Sequence, residues 1–383
     1  MNKINLILFF AALFAVTVAR ADVETTDKIV ISELQVEPGS SSVYNFTVSL
    51  AGSDTRYTAF EIYLALPNGL SVATTAKGDL SVSMVKPSLY PYGTEEEENE
   101  DGKIEEVKTY THQLSKAMTG QNTLKVVVFS LENEEFTNSS GDLFKVYVQA
   151  SPYLKPGDVE IGVSAKLVTI DEEKHIPTAY ISNSVKANNT STLTLKVSEA
   201  NKFGTCILPF DYELPGDGSL KAHTCSACTS DAMLLTVVQG KMEAYTPYII
   251  YAPTGYSATI SGSVDATKYP GEGFVQQGYL VGTVVPKELT EQTSYIIQNQ
   301  GSGAMFYQVG ATPFVLNEGK CYAELPPGAG ARSLTMTDDA TGIESLMPTN
   351  PKTTNIYNLN GQRVTKMQPN RIYIVDGKKV INL

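Results

Sequence analysis

Hydrophobic and polar residues alternate along most of this chain, and a period of two predicts strands. Val43-Tyr-Asn-Phe-Thr-Val-Ser-Leu50 changes sides at every step, and Phe60, Ile62, Leu64 and Leu66 share one face of the stretch 58–66. Pro67-Asn-Gly69 then turns the chain. Further strands are expected at 124–131, 143–150, 159–165 and 192–197, separated by Gly, Pro, Asn and Ser clusters. No apolar stripe of helical period interrupts them. Many short strands with turns between them imply a sandwich of two antiparallel sheets.

Near Glu199 the texture changes. Cysteines begin, Tyr and Gly rise, and Pro209, Pro215, Pro247 and Pro253 punctuate short strands at 234–238, 248–251, 279–285 and 294–298. This reads as a second β domain. Met347-Pro-Thr-Asn-Pro-Lys352 is a linker, and two hairpin outlines follow it: Ile356-Tyr-Asn-Leu-Asn-Gly-Gln-Arg-Val364 and Ile372-Tyr-Ile-Val-Asp-Gly-Lys-Lys-Val380. Asn360-Gly361 and Asp376-Gly377 are dipeptides that accept positive φ at both centres of a type I′ turn. At the other end, Lys3, the apolar run from Ile4 to Val18 and Ala19-Arg20-Ala21 form a signal peptide with a small-residue cleavage site. The run is shorter than the ~20 residues of a spanning helix. Asp22 follows the cut where a lipoprotein would need cysteine. The expected organisation is therefore a signal peptide at 1–21, a sandwich at 22–198, a second β domain at 199–342 and a terminal hairpin module at 343–383, all-β throughout.

Charge narrows the partners. The formal net charge is -12, and cleavage removes Lys3 and Arg20 but no acid. Such a surface repels phosphate backbones and anionic lipids, which argues against nucleic acid and membrane surfaces. Hydrophobic content of 42% argues against disorder.

Candidate chemistry is sparse. Cys206, Cys225, Cys228 and Cys321 are expected as disulfides or structural thiols in an exported chain, and four cysteines allow three pairings. A zinc site would need a second close-spaced ligand pair beside Cys225-Ser-Ala-Cys228, although His223 lies near. A redox motif would need a thioredoxin-like context. Glu97, Asn99 and Asp101 followed by Gly102 partly match a calcium loop, but Lys108 stands where an acidic ligand should close it. A solvated acidic loop is the simpler reading of 95–101. His112, His175 and His223 lie in no nucleophile or metal motif, and no Gly-x-Ser-x-Gly elbow, Walker loop or His-Glu-x-x-His occurs. Glu132, Glu134 and Glu135 follow a strand and so could face a cleft, but loop charges are usually just solvated. Tyr90, Tyr92, Tyr245, Tyr248, Tyr251 and Tyr256 would offer rings for stacking on sugars, or simply fill a pleated surface.

Tyr57-Thr-Ala-Phe-Glu-Ile-Tyr-Leu-Ala-Leu-Pro-Asn-Gly-Leu-Ser-Val72, Phe129-Ser-Leu-Glu-Asn-Glu-Glu-Phe136, Gly141-Asp-Leu-Phe144 and the stretch 159–167 resemble, in this order, segments of bacterial cohesin-like domains. The resemblance spans 27–197 and implies a jelly-roll-like sandwich of the cohesin and carbohydrate-binding-module superfamily, a class that binds partners and has no catalytic residues to carry over. The acidic insert at 94–107 departs from that pattern. Gly204-Thr-Cys-Ile-Leu-Pro-Phe210 and Ala331-Arg-Ser-Leu-Thr-Met-Thr-Asp-Asp-Ala-Thr-Gly342 resemble a β module of unknown role found in surface proteins of anaerobic Gram-negative bacteria. The closing hairpins resemble the C-terminal sorting domain of type IX secretion cargo, with Arg371 in place of the usual glycine and Asn382-Leu383 in place of a terminal lysine. The expectation is a non-catalytic secreted or surface protein, periplasmic if the terminal signal goes unused, that binds an extracellular protein or glycan and engages secretion machinery through its terminal module. A carbohydrate-binding or adhesion module and a glycan-degrading enzyme are the alternatives.

Overall fold

The computed structural model describes residues 23–338, apart from 53, 87–88, 99–103, 172–173, 183–184, 230, 291–292, 302 and 327–331, and also 356–358, 363–364, 371–375 and 378–382. Residues 1–21, expected as a signal peptide, and Asn99, Asp101 and the turn positions Asn360, Gly361, Asp376 and Gly377 lie outside the described residues. Two compact units divide the chain between Asn188 and Asn189. Both are built of strands. Among the described residues no helix is long and apolar enough to cross a membrane.

In the first unit the main sheet runs, in order of neighbours, Leu70–Val72, Ser140–Ala150, Tyr44–Ala51, Val23–Ile31, Lys174–Ser182, Gly162–Val168, Ala59–Ala65, Thr123–Ser130 and His112–Met118, and Val82–Met84 also pairs with Ser140–Ala150. Its neighbours are antiparallel except Val23–Ile31 with Lys174–Ser182. Alternation decides which side is wet: Phe60, Ile62 and Leu64 are buried from one strand, and Leu124, Val126 and Val128 from the next. The sheet folds over on itself, because the Phe60 and Phe144 rings stack at 5.7 Å although their strands are not neighbours. The result is a sandwich around one continuous core. Lys116 Nζ, from the strand at one end of the sheet, donates to the Val82 carbonyl near the other end at 2.9 Å.

The turn read from Pro67-Asn-Gly69 is present. Leu70 N–H donates to Pro67 O at 3.0 Å and Gly69 has φ of 87°. A Cβ there would sit 2.6 Å from Leu154 Cα, so glycine is required twice over.

The second unit holds another long sheet: Phe203–Ile207, Pro247–Tyr251, Lys221–Cys228, Ala232–Val237, Ser333–Asp338, Ala304–Gln308, Ser294–Asn299, Lys320–Glu324, Leu280–Thr283 and Phe274–Gln277. Met233, Leu235, Ile249, Phe306 and Leu334 form its main core. One expected boundary is corrected here. Thr190–Val197 pairs residue for residue with Tyr256–Ser263, so this strand belongs to the second unit and the division falls before it rather than at 198. The closing strands form a separate four-stranded sheet ordered Arg363–Val364, Ile356–Asn358, Arg371–Val375 and Lys378–Asn382.

Candidate functional site

The strands Gly162–Val168, Ala59–Ala65, Thr123–Ser130 and His112–Met118 lie side by side, and their outward positions form rows across the sheet. Ser164, Tyr63, Lys125 and Ala117 make one row; Lys166, Glu61, Val127 and Ser115 make the next; Phe129 and Gln113 stand in a third. Val127, Phe129 and Tyr63 are half-buried, whereas Ser164, Lys166, Gln113 and Ala117 around them are exposed. Polar groups in the middle are fixed to each other. Tyr63 Oη donates to Glu61 Oε1 at 2.7 Å, Lys125 Nζ lies 3.1 Å from Glu61 Oε2, and the same ammonium sits 5.3 Å from the Tyr63 ring centre. Burial opposes the Lys125 charge, but the hydrogen bonds of Tyr63 and Glu61 and the pull of the carboxylate outweigh it, and its pKa is raised. The face is partly apolar, and its polar groups hold one another in place. Half-buried apolar side chains thus stand among exposed polar ones on this face.

The acidic segment, which leads through Thr111 into His112–Met118, is exposed at Glu96 and Glu106 as its composition suggests, but it is a ribbon rather than a loop. Tyr92–Glu98 and Ile104–Tyr110 form a two-stranded ribbon paired with no other strand among the described residues. Its base is aromatic: Tyr92 and Tyr110 meet at 5.4 Å, with Lys108 4.2 Å from the Tyr92 ring centre and Lys86 4.3 Å from that of Tyr110. Hydrogen bonding to Tyr92 is the leading cause that raises the Lys108 pKa. Further out the register sets Glu96 opposite Glu106 and Glu97 opposite Glu105. Like charges directly opposite weaken a strand pair. Glu97 of the calcium-loop pattern is thus a ribbon position, and among the described residues no group of three or more His, Cys, Asp or Glu side chains is arranged to hold a metal.

The remaining candidates separate. His112 is buried against Tyr90 and Phe136, its Nε2–H donating to Thr58 O at 3.1 Å and its Nδ1 accepting from Thr111 Oγ1 at 3.0 Å. Desolvation lowers its pKa, so the ring is held neutral. His175 packs edge-on against Tyr57 at 5.6 Å, and His223 is buried in the second unit. Ser130 Oγ accepts from the Glu132 and Glu134 amides in a turn where Asn133 has φ of 57°. Glu134 and Glu135 are half-exposed and Glu132 is exposed. Tyr90, Tyr245 and Tyr248 are interior rather than a stacking platform; Tyr90 Oη donates to Leu143 O at 2.7 Å. All four cysteines are present as thiols, with Cys206, Cys225 and Cys321 buried and Cys228 half-buried.

One polar pair escaped the sequence reading. Asp27 is fully buried, and its Oδ2 accepts a short hydrogen bond from Tyr57 Oη. Register slips in this strand between Thr25 and Lys28, and from there Asp27 shares the inward side with Ile29 and Ile31. Both partners are closed to solvent, so the pair is a core clasp with no room for a substrate.

No family model and no curated protein matches the chain. Among solved structures it is similar to cohesins. A non-cellulosomal cohesin from Archaeoglobus fulgidus is 16% identical, covering 42% of this chain and 91% of that one, with a TM-score of 0.27. A cohesin module of a family 33 glycoside hydrolase from Clostridium perfringens is 14% identical, covering 43% and 98%, with a TM-score of 0.30. A cohesin from Clostridium acetobutylicum is 12% identical, covering 43% and 92%, with a TM-score of 0.31.

Proposed function

We infer that the chain is a non-catalytic binding protein, secreted or held at the outer cell surface, whose first unit grips another protein. The outward face of Ala59–Ala65, Thr123–Ser130 and their neighbours carries this reading. Its apolar centre, Val127, Phe129 and Tyr63, is held in place by the sheet register and by the Glu61–Lys125 ion pair, so docking orders few side chains. Rings held among their neighbours, as those of Tyr63 and Phe129 are, suit a protein contact better than sugar stacking, which needs a ring face standing free. The acidic ribbon that leads into His112–Met118 favours a partner with basic character.

Affinity capture from the native cell surface tests the reading, using the mature chain and Val127→Arg. A protein held by the first and lost with the second, at unchanged melting temperature, supports it. Selective binding on a glycan array, or turnover of a glycan abolished by changing one carboxylate, would replace it with a carbohydrate-binding or a hydrolytic function.

The closing hairpins serve in this reading as an export address. Deleting 342–383 should leave the first unit folded and alter where the protein accumulates. Unchanged surface display after the deletion would reject the address.

A further inference from the structure

We propose that Cys225 and Cys228 form a reversible intrachain disulfide, making this strand of the second unit a thiol-oxidation site. Residues three apart on an unbroken strand point to opposite faces and do not meet. Here the pairing of Lys221–Cys228 with Ala232–Val237 slips by one residue: Cys225 lies opposite Leu235, Ala227 opposite Leu234 and Cys228 opposite Met233. Leu235 and Met233 are both buried on the core side. The bulge therefore turns two cysteines that would diverge onto one face. Packing agrees, since Cys225 belongs to the same core cluster as Met233 and Leu235 and Cys228 rests against it.

Their strand partners are two steps apart, about 6.7 Å along a strand. In the reduced form the Cys225 thiol donates to Ala227 O at 3.3 Å and the Cys228 thiol to Thr229 O at 3.4 Å. A disulfide needs Cβ atoms ~3.5–4.5 Å apart, so closure releases both thiols and draws the two residues together across the bulge between them. Access is graded as well: Cys225 is 6% exposed, while Cys228 is half-buried and is the entry point for a reagent. Cys206 and Cys321 are 3% and 2% exposed, and burial pushes the Cys206 thiol up to about 12 and the Cys321 thiol well above its ordinary value. Those two are shielded and serve as internal controls.

The oxidant is a small-molecule disulfide. Cys228 gives up its proton and its sulfur attacks one sulfur of the reagent, breaking the reagent S–S bond; half of the reagent leaves and takes up a proton as a thiol. Cys225 then gives up its proton and attacks Cys228 sulfur, expelling the second half as a thiol. Two protein thiols are oxidised and one external disulfide is reduced to two thiols. Burial raises the Cys228 pKa, so the first attack quickens as the pH rises.

The test is peptide mapping of the full mature chain, kept folded, after treatment with oxidised glutathione and then alkylation under denaturing, non-reducing conditions. Tryptic cleavage after Lys221 and Lys241 yields a peptide holding Cys225 and Cys228 and neither other cysteine. The expected result is that peptide two hydrogens lighter and unalkylated, restored by dithiothreitol, with Cys206 and Cys321 alkylated. Cys228→Ser should leave Cys225 alkylated. Alkylation of both thiols in the treated wild-type peptide overturns the proposal. So does a glutathione adduct that persists on Cys228, or a bridge to Cys206 or Cys321. The wild-type map decides the matter even if the variant does not fold.

Discussion

Replacing Tyr57 with Phe removes one oxygen from the first unit and little else. The ring stays, so its volume and its edge contact with His175 at 5.6 Å are kept, and no cavity opens. What is lost is the hydroxyl that donates to Asp27 Oδ2, in a place where both residues are closed to water. A buried acceptor that loses such a donor costs about 1.5–3 kcal/mol, the upper part of the range for an unsatisfied buried polar group. For a unit of this size each kcal/mol moves the melting temperature by about 2–4 °C, so Tyr57→Phe should melt about 3–12 °C lower. Tyr57→Ala should cost about 3–5 kcal/mol, because it also vacates the ring's volume. Urea unfolding of the two variants beside wild type, at an unchanged slope, measures both. A loss below about 0.5 kcal/mol for Tyr57→Phe would show that water serves Asp27 as well as the phenol does, and the clasp would then contribute nothing.

Three further outcomes follow from the same physics. His112 has a folded pKa lowered by burial, so the unfolded chain binds the proton first; stability should be full above the unfolded value of about 6.5 and decline as pH falls below it. Urea titrations across about pH 5–7.5 should show this slope in wild type and lose part of it in His112→Gln; identical profiles would contradict the neutral, buried ring. Gly69→Ala meets both a positive φ and the Leu154 backbone and should cost about 2–4 kcal/mol, whereas Gly78→Ala, with φ of 82° and open space, should cost only about 1 kcal/mol. Equal costs would mean that the Pro67–Gly69 turn is looser than its contacts imply. Replacing the ribbon between Thr94 and Val107 by a short turn should leave the melting temperature of the first unit within about 2 °C, since its strands pair only with each other among the described residues; a larger drop would make the ribbon part of the sandwich.

Much of the architecture could be read from alternation, because one buried face leaves a period of two in the residues. The strands expected at 43–50, 58–66 and 124–131 appear as Tyr44–Ala51, Ala59–Ala65 and Thr123–Ser130. What stayed hidden has specific causes. The ribbon's glutamates lack strand propensity, and only its register against Lys108, Val107 and Ile104 makes Tyr92–Glu98 a strand. Asp27 looks like a surface residue until Tyr57, thirty positions away, supplies its donor. Thr190–Val197 alternates like its predecessors, and no local signal tells it to pair with Tyr256–Ser263 in the second unit. The bulge after Cys225 breaks the alternation by one residue, which from sequence alone looks like the end of a strand. The outward face around Val127 was only half legible: its residues alternate as expected, but which rows meet depends on register across four strands.

The central claim is that the outward face around Val127 is where this chain meets another protein. Titration calorimetry of the captured partner against wild type and Val127→Arg tests it most directly. A charged side chain forced into the apolar centre should weaken binding at least tenfold, by about 1.4 kcal/mol or more, with the fold intact. Equal affinity for the two proteins would place recognition elsewhere and contradict the account.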